Sequence, residues 1–186
     1  MTSRFKRNIF FVLIFLIIVA FIFLIHFIGI EKIIEKIGVN NIYIIVFLTA
    51  FLGGASSFSS TSYFFFLITL AINGLNPFLL GLIGGTGLTL SDPLFFYFGI
   101  HGRSFVSQNK KIKNLIVYLT EWIKKKPKWV IPVFIFLYSG FTLLPSDILS
   151  FSLALLHYPF KKFIFFIFLA NVNFAILISL FSFFFY

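Results

Sequence analysis

Residues 42–72 form an apolar segment that suits neither ordinary use of one. At 31 residues it is too long for a single bilayer crossing of about 20 residues and too short for two crossings with a turn between them. Its middle, Gly53-Gly54-Ala55-Ser56-Ser57-Phe58-Ser59-Ser60-Thr61-Ser62, is small and polar. Backbone of that kind survives at membrane depth only where protein or a wet cavity surrounds it. The expected solution is a re-entrant hairpin, two half-length helical arms meeting at a polar tip. Residues 130–158 pose the same problem over 29 residues, with the break at Leu144-Pro145-Ser146-Asp147.

Composition decides the solvent. Of the 186 residues, 60% are hydrophobic, 11% are charged and 32 are Phe, and the mean hydropathy is +1.08. No core of this size hides so much apolar surface, which excludes a water-soluble domain and a disordered chain alike. The Phe runs 64–66 and 183–185 read as lipid-facing filler. With no cysteine, thiol chemistry and disulfides drop out. There is no metal-ligand cluster and no phosphate-binding glycine loop, so neither a metal nor a cofactor is expected, and the chain does not read as an enzyme.

Around the two broken segments the rest falls into place. Residues 9–30 are long enough to cross a bilayer behind Arg4, Lys6 and Arg7, and too long for a signal peptide. Glu31, Lys32, Glu35 and Lys36 then pair at i, i+4 spacing in a short interfacial helix. Residues 1–41 therefore read as an anchor unit and residues 42–186 as a membrane domain. Within the latter come a hairpin at 42–72, a span at 77–99, a basic loop at 100–129, a hairpin at 130–158 and a span at 163–186. With two hairpins and three spans, residues 1–8, 100–129 and 159–162 share one side and hold thirteen of the fifteen Lys and Arg. A full crossing by residues 42–72 would put the eight-charge loop outside, against the positive-inside bias. The net charge of +10 is thus topology and not a nucleic-acid signal. The expected fold is an all-α integral membrane protein with three full transmembrane helices and two re-entrant helical hairpins. The hairpins open from opposite sides, so the repeat is inverted, an architecture of secondary transporters.

Ionisable groups inside apolar segments need a reason, because a carboxylate there costs about 2.5–3.5 kcal/mol on insertion scales. Asp92 precedes Pro93, which has no N–H for the Thr89 carbonyl; Asp92 is expected to cap a restarted half-helix beginning at Pro93 or to serve as a proton-sensitive group. Asp147, at the second hairpin tip beside Ser146, is the second candidate. Facing it would be the hydroxyl tip Ser59, Ser60, Thr61 and Ser62. Arg103, Lys161 and Lys162 are candidates to hold an anionic headgroup, while His26 and His157 read as interfacial. Gly54-Ala55-Ser56-Ser57 has a faint likeness to the nucleophile motif of rhomboid-type intramembrane serine proteases, with His157 as the base, but lacks the second glycine.

The stretch Gly87-x4-Asp92-x4-Tyr97-x-Gly99-x2-Gly102-Arg103 resembles the Gly-Asp-x-x-x-Tyr-x-x-Gly-Arg signature of the DedA family, also called SNARE-associated or VTT-domain membrane proteins. The order of hairpin, span, basic loop, hairpin and span over residues 42–186 is similar too. The resemblance implies a lipid transporter, flippase or scramblase of the cytoplasmic (inner) membrane. Such a protein acts on undecaprenyl phosphate or phospholipid with dependence on the proton gradient, and Asp92 corresponds to the signature's acid. Where members of that family carry an acid and prolines in the first hairpin, this chain has Ser59 to Ser62; it has no arginine at Phe141–Pro145. Expected partners are anionic lipid headgroups, with no nucleic acid and with self-association left open. The N-terminus is expected in the cytoplasm. A non-transporting assembly or scaffold subunit is the other class that stays open.

Overall fold

The computed structural model describes residues 42–54, 59–106 and 108–181, with side chains described except at 59–62, 105 and 124. The expected anchor at 9–30, the interfacial stretch at 31–37, residues 55–58 of the first tip and residues 182–186 of the last span lie outside the described residues. The chain divides into two units, Met1–Ile44 and Ile45–Tyr186. Only the opening of the first helix belongs to the described part of the former, and every contact below lies within the latter.

The described residues are helical throughout and contain no strand. In chain order the helices are α1 (Ile42–Gly54), α2 (Ser59–Ile72), α3 (Pro77–Val106), α4 (Lys110–Lys125), α5 (Val130–Phe141), α6 (Ser146–Leu155) and α7 (Phe160–Phe181). Two of them, α3 and α7, are long and apolar enough to cross a membrane. The apolar helices α1, α2, α5 and α6, with 13, 14, 12 and 10 residues, reach about 15–21 Å at 1.5 Å per residue. That falls short of a hydrocarbon core of about 30 Å. In residues 130–158 the break falls at 142–145, immediately before the Ser146-Asp147 pair that opens α6.

Asn76 starts α3 by accepting from the Phe78 and Leu79 amides on Oδ1, at 2.9 and 3.4 Å, and Pro77 takes the first helical position, where a missing N–H is harmless. The helix then runs through Pro93 to Val106 without interruption, which corrects the expected restart at Pro93. Proline is tolerated within a helix when neighbouring helices and hydroxyl side chains brace it. Here α6 and α7 pack along α3, and the Thr89 and Ser91 hydroxyls bond back to the Gly85 and Leu88 carbonyls at 2.7 and 2.6 Å. Asp92 is therefore not a cap. The basic stretch 100–129 is also more ordered than its composition predicts. It contains the end of α3 and all of α4, which Asn109 caps by accepting from the Lys111 and Ile112 amides.

The second arms of the two broken segments end alike. After α2, Leu75 N–H donates to the Leu70 carbonyl and Gly74 N–H to that of Ala71, with Gly74 at φ 87°. After α6, Tyr158 N–H donates to the Leu153 carbonyl and His157 N–H to that of Ala154, with His157 at φ 58°. Both are Schellman turns, in which a left-handed residue lets the chain double back onto the last carbonyls.

Packing is organised around α7. Its inner face carries Phe163, Ile167, Ala170, Asn171, Phe174, Ala175 and Ser179, all buried. Phe163 stacks on Phe96 of α3 with centroids 4.8 Å apart, and Ile135, Leu149 and Leu153 complete that core. Further along, Gly81 and Gly85 of α3 lie against Ile176 and Val172 of α7. A Cβ on Gly85 would sit 2.5 Å from the Val172 Cα, the close backbone approach that small-xxx-small spacing permits. The outward faces are apolar instead. Phe78, Leu82, Leu90 and Phe98 on α3, and Phe165, Leu169, Leu177 and Phe181 on α7, are exposed at multiples of four residues. Polar Asn and Ser point in and Phe and Leu point out, the arrangement a lipid solvent favours.

Candidate functional site

At the middle of the helix assembly lies Asp92, 1% exposed. A lone carboxylate at that depth would be prohibitively unfavourable, so its partners matter. The Ser150 hydroxyl of α6 lies 3.0 Å from Oδ1. From α7, the Asn171 amide donates to Oδ2 at 2.8 Å, and its second hydrogen goes to the Thr89 hydroxyl at 3.2 Å. Among the described residues no lysine or arginine takes part, and the hydrogen bonds to the acid come from neutral groups.

Those partners accommodate either protonation state. The Ser150 hydroxyl lies within reach of two acceptors, Asp92 Oδ1 at 3.0 Å and the Ser146 carbonyl at 2.8 Å, but it has a single hydrogen. When Asp92 is ionised, that hydrogen points at the carboxylate. When Asp92 is protonated, the acid donates to Ser150, and Ser150 donates to the Ser146 carbonyl. Gaining a proton at α3 thus changes the bonding of the first turn of α6.

That turn borders a small cavity of about 40 Å³, a volume on the scale of a few water molecules. Gly53 and Gly54, at the end of α1, lie on one side. Thr142, Pro145, Ser146 and Asp147, from the α5–α6 break, lie on another, and Asn171 closes the chamber. Phe64, Leu88 and Phe174 line it as well, so the ends of two short helices border a chamber of mixed polarity, which reaches Asp92 through its partner Asn171. Ser139 of α5 lines it too, and its hydroxyl is buried with no hydrogen-bond partner among the described residues.

The residues expected from sequence are distributed unevenly over this geometry. Asp92, Asp147 and Ser146 come together, with Asp147 in the first turn of α6, where a negative charge complements the helix dipole. The groups opposite Asp147 are Gly53 and Gly54; the side chains of Ser59, Ser60, Thr61 and Ser62 lie outside the described residues. Arg103 is away from the chamber. Its Nε donates to the Ala154 carbonyl at 2.9 Å and its Nη2 to the same oxygen, so it ties the end of α3 to the last turn of α6. Lys161 and Lys162 are exposed on the first turn of α7, and only Lys162 borders a cavity, a larger one outside the chamber. His157 borders that larger cavity as well, while Ser56, its partner in a protease reading, lies outside the described residues. Sequence reasoning missed Ser150, Thr89, Ser139 and Asn171, having weighed ionisable groups and the hydroxyls at the helix breaks but not polar residues within the helices. Asn171-Val172-Asn173 in an otherwise apolar span was the available signal, since an amide in lipid needs a partner as surely as a charge does.

Comparison with protein-family models, with characterised proteins and with solved structures finds no match to this chain. Its function is therefore argued from the site alone.

Proposed function

We propose that this chain is a membrane lipid transporter or scramblase of DedA-like build, with Asp92 as its proton-sensitive group. In this reading α3, α7 and residues 9–30 cross the bilayer, α1–α2 and α5–α6 are re-entrant hairpins in an inverted repeat, and the N-terminus is cytoplasmic. Four apolar helices too short to span, the matching Schellman turns that end both second arms, and the apolar outward faces support it. One observation carries the reading: a fully buried carboxylate, bonded only to neutral groups among the described residues, near a small chamber that the end of α1 and the α5–α6 break both border. Polar groups at that depth lower the barrier for a headgroup while its tails stay in the hydrocarbon. The chamber of about 40 Å³ is far smaller than a phosphate headgroup, so this is a closed conformation, and transfer requires the tips to part. The Ser150 switch supplies a reason for them to do so on protonation, because it alters the turn that carries Ser146 and Asp147.

Reconstitution in liposomes with a labelled phospholipid tests this. Asp92→Asn offers Ser150 an amide donor where the protonated acid offers O–H, so the variant folds and mimics the protonated state. Held in that one state, the variant cannot complete a cycle of protonation and release, so transfer between leaflets falls at least about tenfold, equivalent to about 1.4 kcal/mol of barrier, and no longer responds to a pH gradient. Wild-type rates and unchanged pH response in Asp92→Asn and Asp147→Asn would remove both acids from the mechanism.

A further inference from the structure

A second cavity, of about 630 Å³, opens between α4, the α4–α5 turn and the α6–α7 turn, remote from the Asp92 chamber in its lining. Its walls are apolar, with Ile123, Ile131 and Leu156 among them. Thr120 and Tyr158 contribute carbon surface to those walls, since both hydroxyl oxygens are buried. Lys126, Lys128 and Lys162 stand around the opening, exposed, with Glu121 the one acid among the lining residues.

The backbone adds an independent mark. His157 borders this cavity at φ 58°, the position of a Schellman turn that glycine usually fills. A non-glycine residue held there is a strain that commonly accompanies a functional site. On its other side α4 exposes an apolar stripe of Ile112, Leu115, Tyr118 and Trp122, and Lys126 Nζ lies 4.7 Å over the Trp122 ring. Aromatic rings and lysines on one amphipathic helix suit the headgroup layer of a bilayer.

We infer that this cavity binds one anionic phospholipid. The lysines meet the phosphate, and the start of an acyl chain takes the isoleucine and leucine walls. Charge complementarity excludes a zwitterionic lipid of equal affinity, and the apolar walls exclude free phosphate as the ligand of choice. The inference goes beyond the transport reading, since the site shares no lining residue with the chamber and requires only that α4 lie at a membrane surface.

The test uses the full chain in mild detergent, with phosphatidylglycerol retained per protein measured by native mass spectrometry. Wild type retains phosphatidylglycerol over phosphatidylcholine, and inorganic phosphate does not displace it. The combined Lys126→Gln, Lys128→Gln and Lys162→Gln variant loses retention at least about tenfold. Removing three charges elsewhere on α4, with Lys110→Gln, Lys111→Gln and Lys113→Gln, leaves retention within about twofold. Equal loss in that control would overturn the site in favour of diffuse attraction. Equal retention of phosphatidylcholine, or displacement by phosphate, would each overturn it too.

Discussion

Asn171 has two amide hydrogens, and both are engaged, one on Asp92 and one on Thr89. Replacing it by leucine, close in volume, would leave a buried carboxyl oxygen without its donor. The expected loss is about 1–3 kcal/mol, the penalty for an unsatisfied buried group, read as a lowered midpoint of thermal unfolding in detergent. An unchanged midpoint in Asn171→Leu would mean that the Asp92 network does not hold α3 against α7. His157 gives the opposite sign. A left-handed φ at a non-glycine residue is strained, so His157→Gly raises stability by about 0.5–1 kcal/mol and His157→Ala does not. The same thermal measurement checks both. At this scale sequence was a partial guide. A carboxylate in an apolar run announces itself by its charge, which is why Asp92 and Asp147 were legible. Their neutral partners were not, since a serine four residues into a short helix and an asparagine on a distant span give no local sign of facing the same acid. Arg103 shows the same limit, because its sequence context gives no sign of the Ala154 carbonyl, 51 residues away, to which it donates.

Between helices, the contact that sequence did not foretell is the Gly81–Gly85 approach to α7. Glycines in a phenylalanine-rich helix read as breaks or fillers, and their spacing of four acquires meaning only once Val172 and Ile176 are placed opposite. A Cβ on Gly85 would meet backbone atoms of Val172 at 2.5 and 2.6 Å, which cannot rotate away as a side-chain tip could. Gly85→Val is therefore expected to push α3 from α7, to destabilise by about 1–3 kcal/mol through overpacking, and to loosen the Asp92 network two turns further on. A fall in unfolding midpoint in Gly85→Val well beyond that in Gly74→Ala would localise the larger effect to the interface, because Gly74 has open space around it and, at φ 87°, only the strain of its turn to add. The break before α6 was legible from Pro145, which cannot continue a helix from α5. Pro93 carries the same signal and did not produce a break, because the helices packed beside it make an uninterrupted α3 the better solution. Proline thus marks where a helix is weak; the surroundings decide whether it ends.

For the whole molecule the decisive quantity is which ends share a side. α3 separates the Asn73–Asn76 turn from the basic stretch that carries α4, since 30 helical residues lie between them. On the proposed topology the positive-inside bias assigns the second of those ends to the cytoplasm: eight Lys and Arg fall in residues 100–129 and none in 73–76. If residues 42–72 dip and return, Lys32 and Asn73 face the same compartment; if they cross, the two face opposite ones. The chain has no cysteine, so single cysteines can be introduced without removing any. Labelling of intact cells with a membrane-impermeant maleimide should therefore modify Lys32→Cys and Asn73→Cys alike. Lys111→Cys and Lys161→Cys should react only after the membrane is opened. Reaction of Lys32→Cys but not Asn73→Cys in intact cells would show a full crossing. The chamber would then lose its inverted symmetry, and a lipid route between paired hairpins would have no structural basis. Agreement of all four positions leaves the short helices α1, α2, α5 and α6 with no way to traverse the bilayer, and makes the chamber near Asp92 the midpoint of a path.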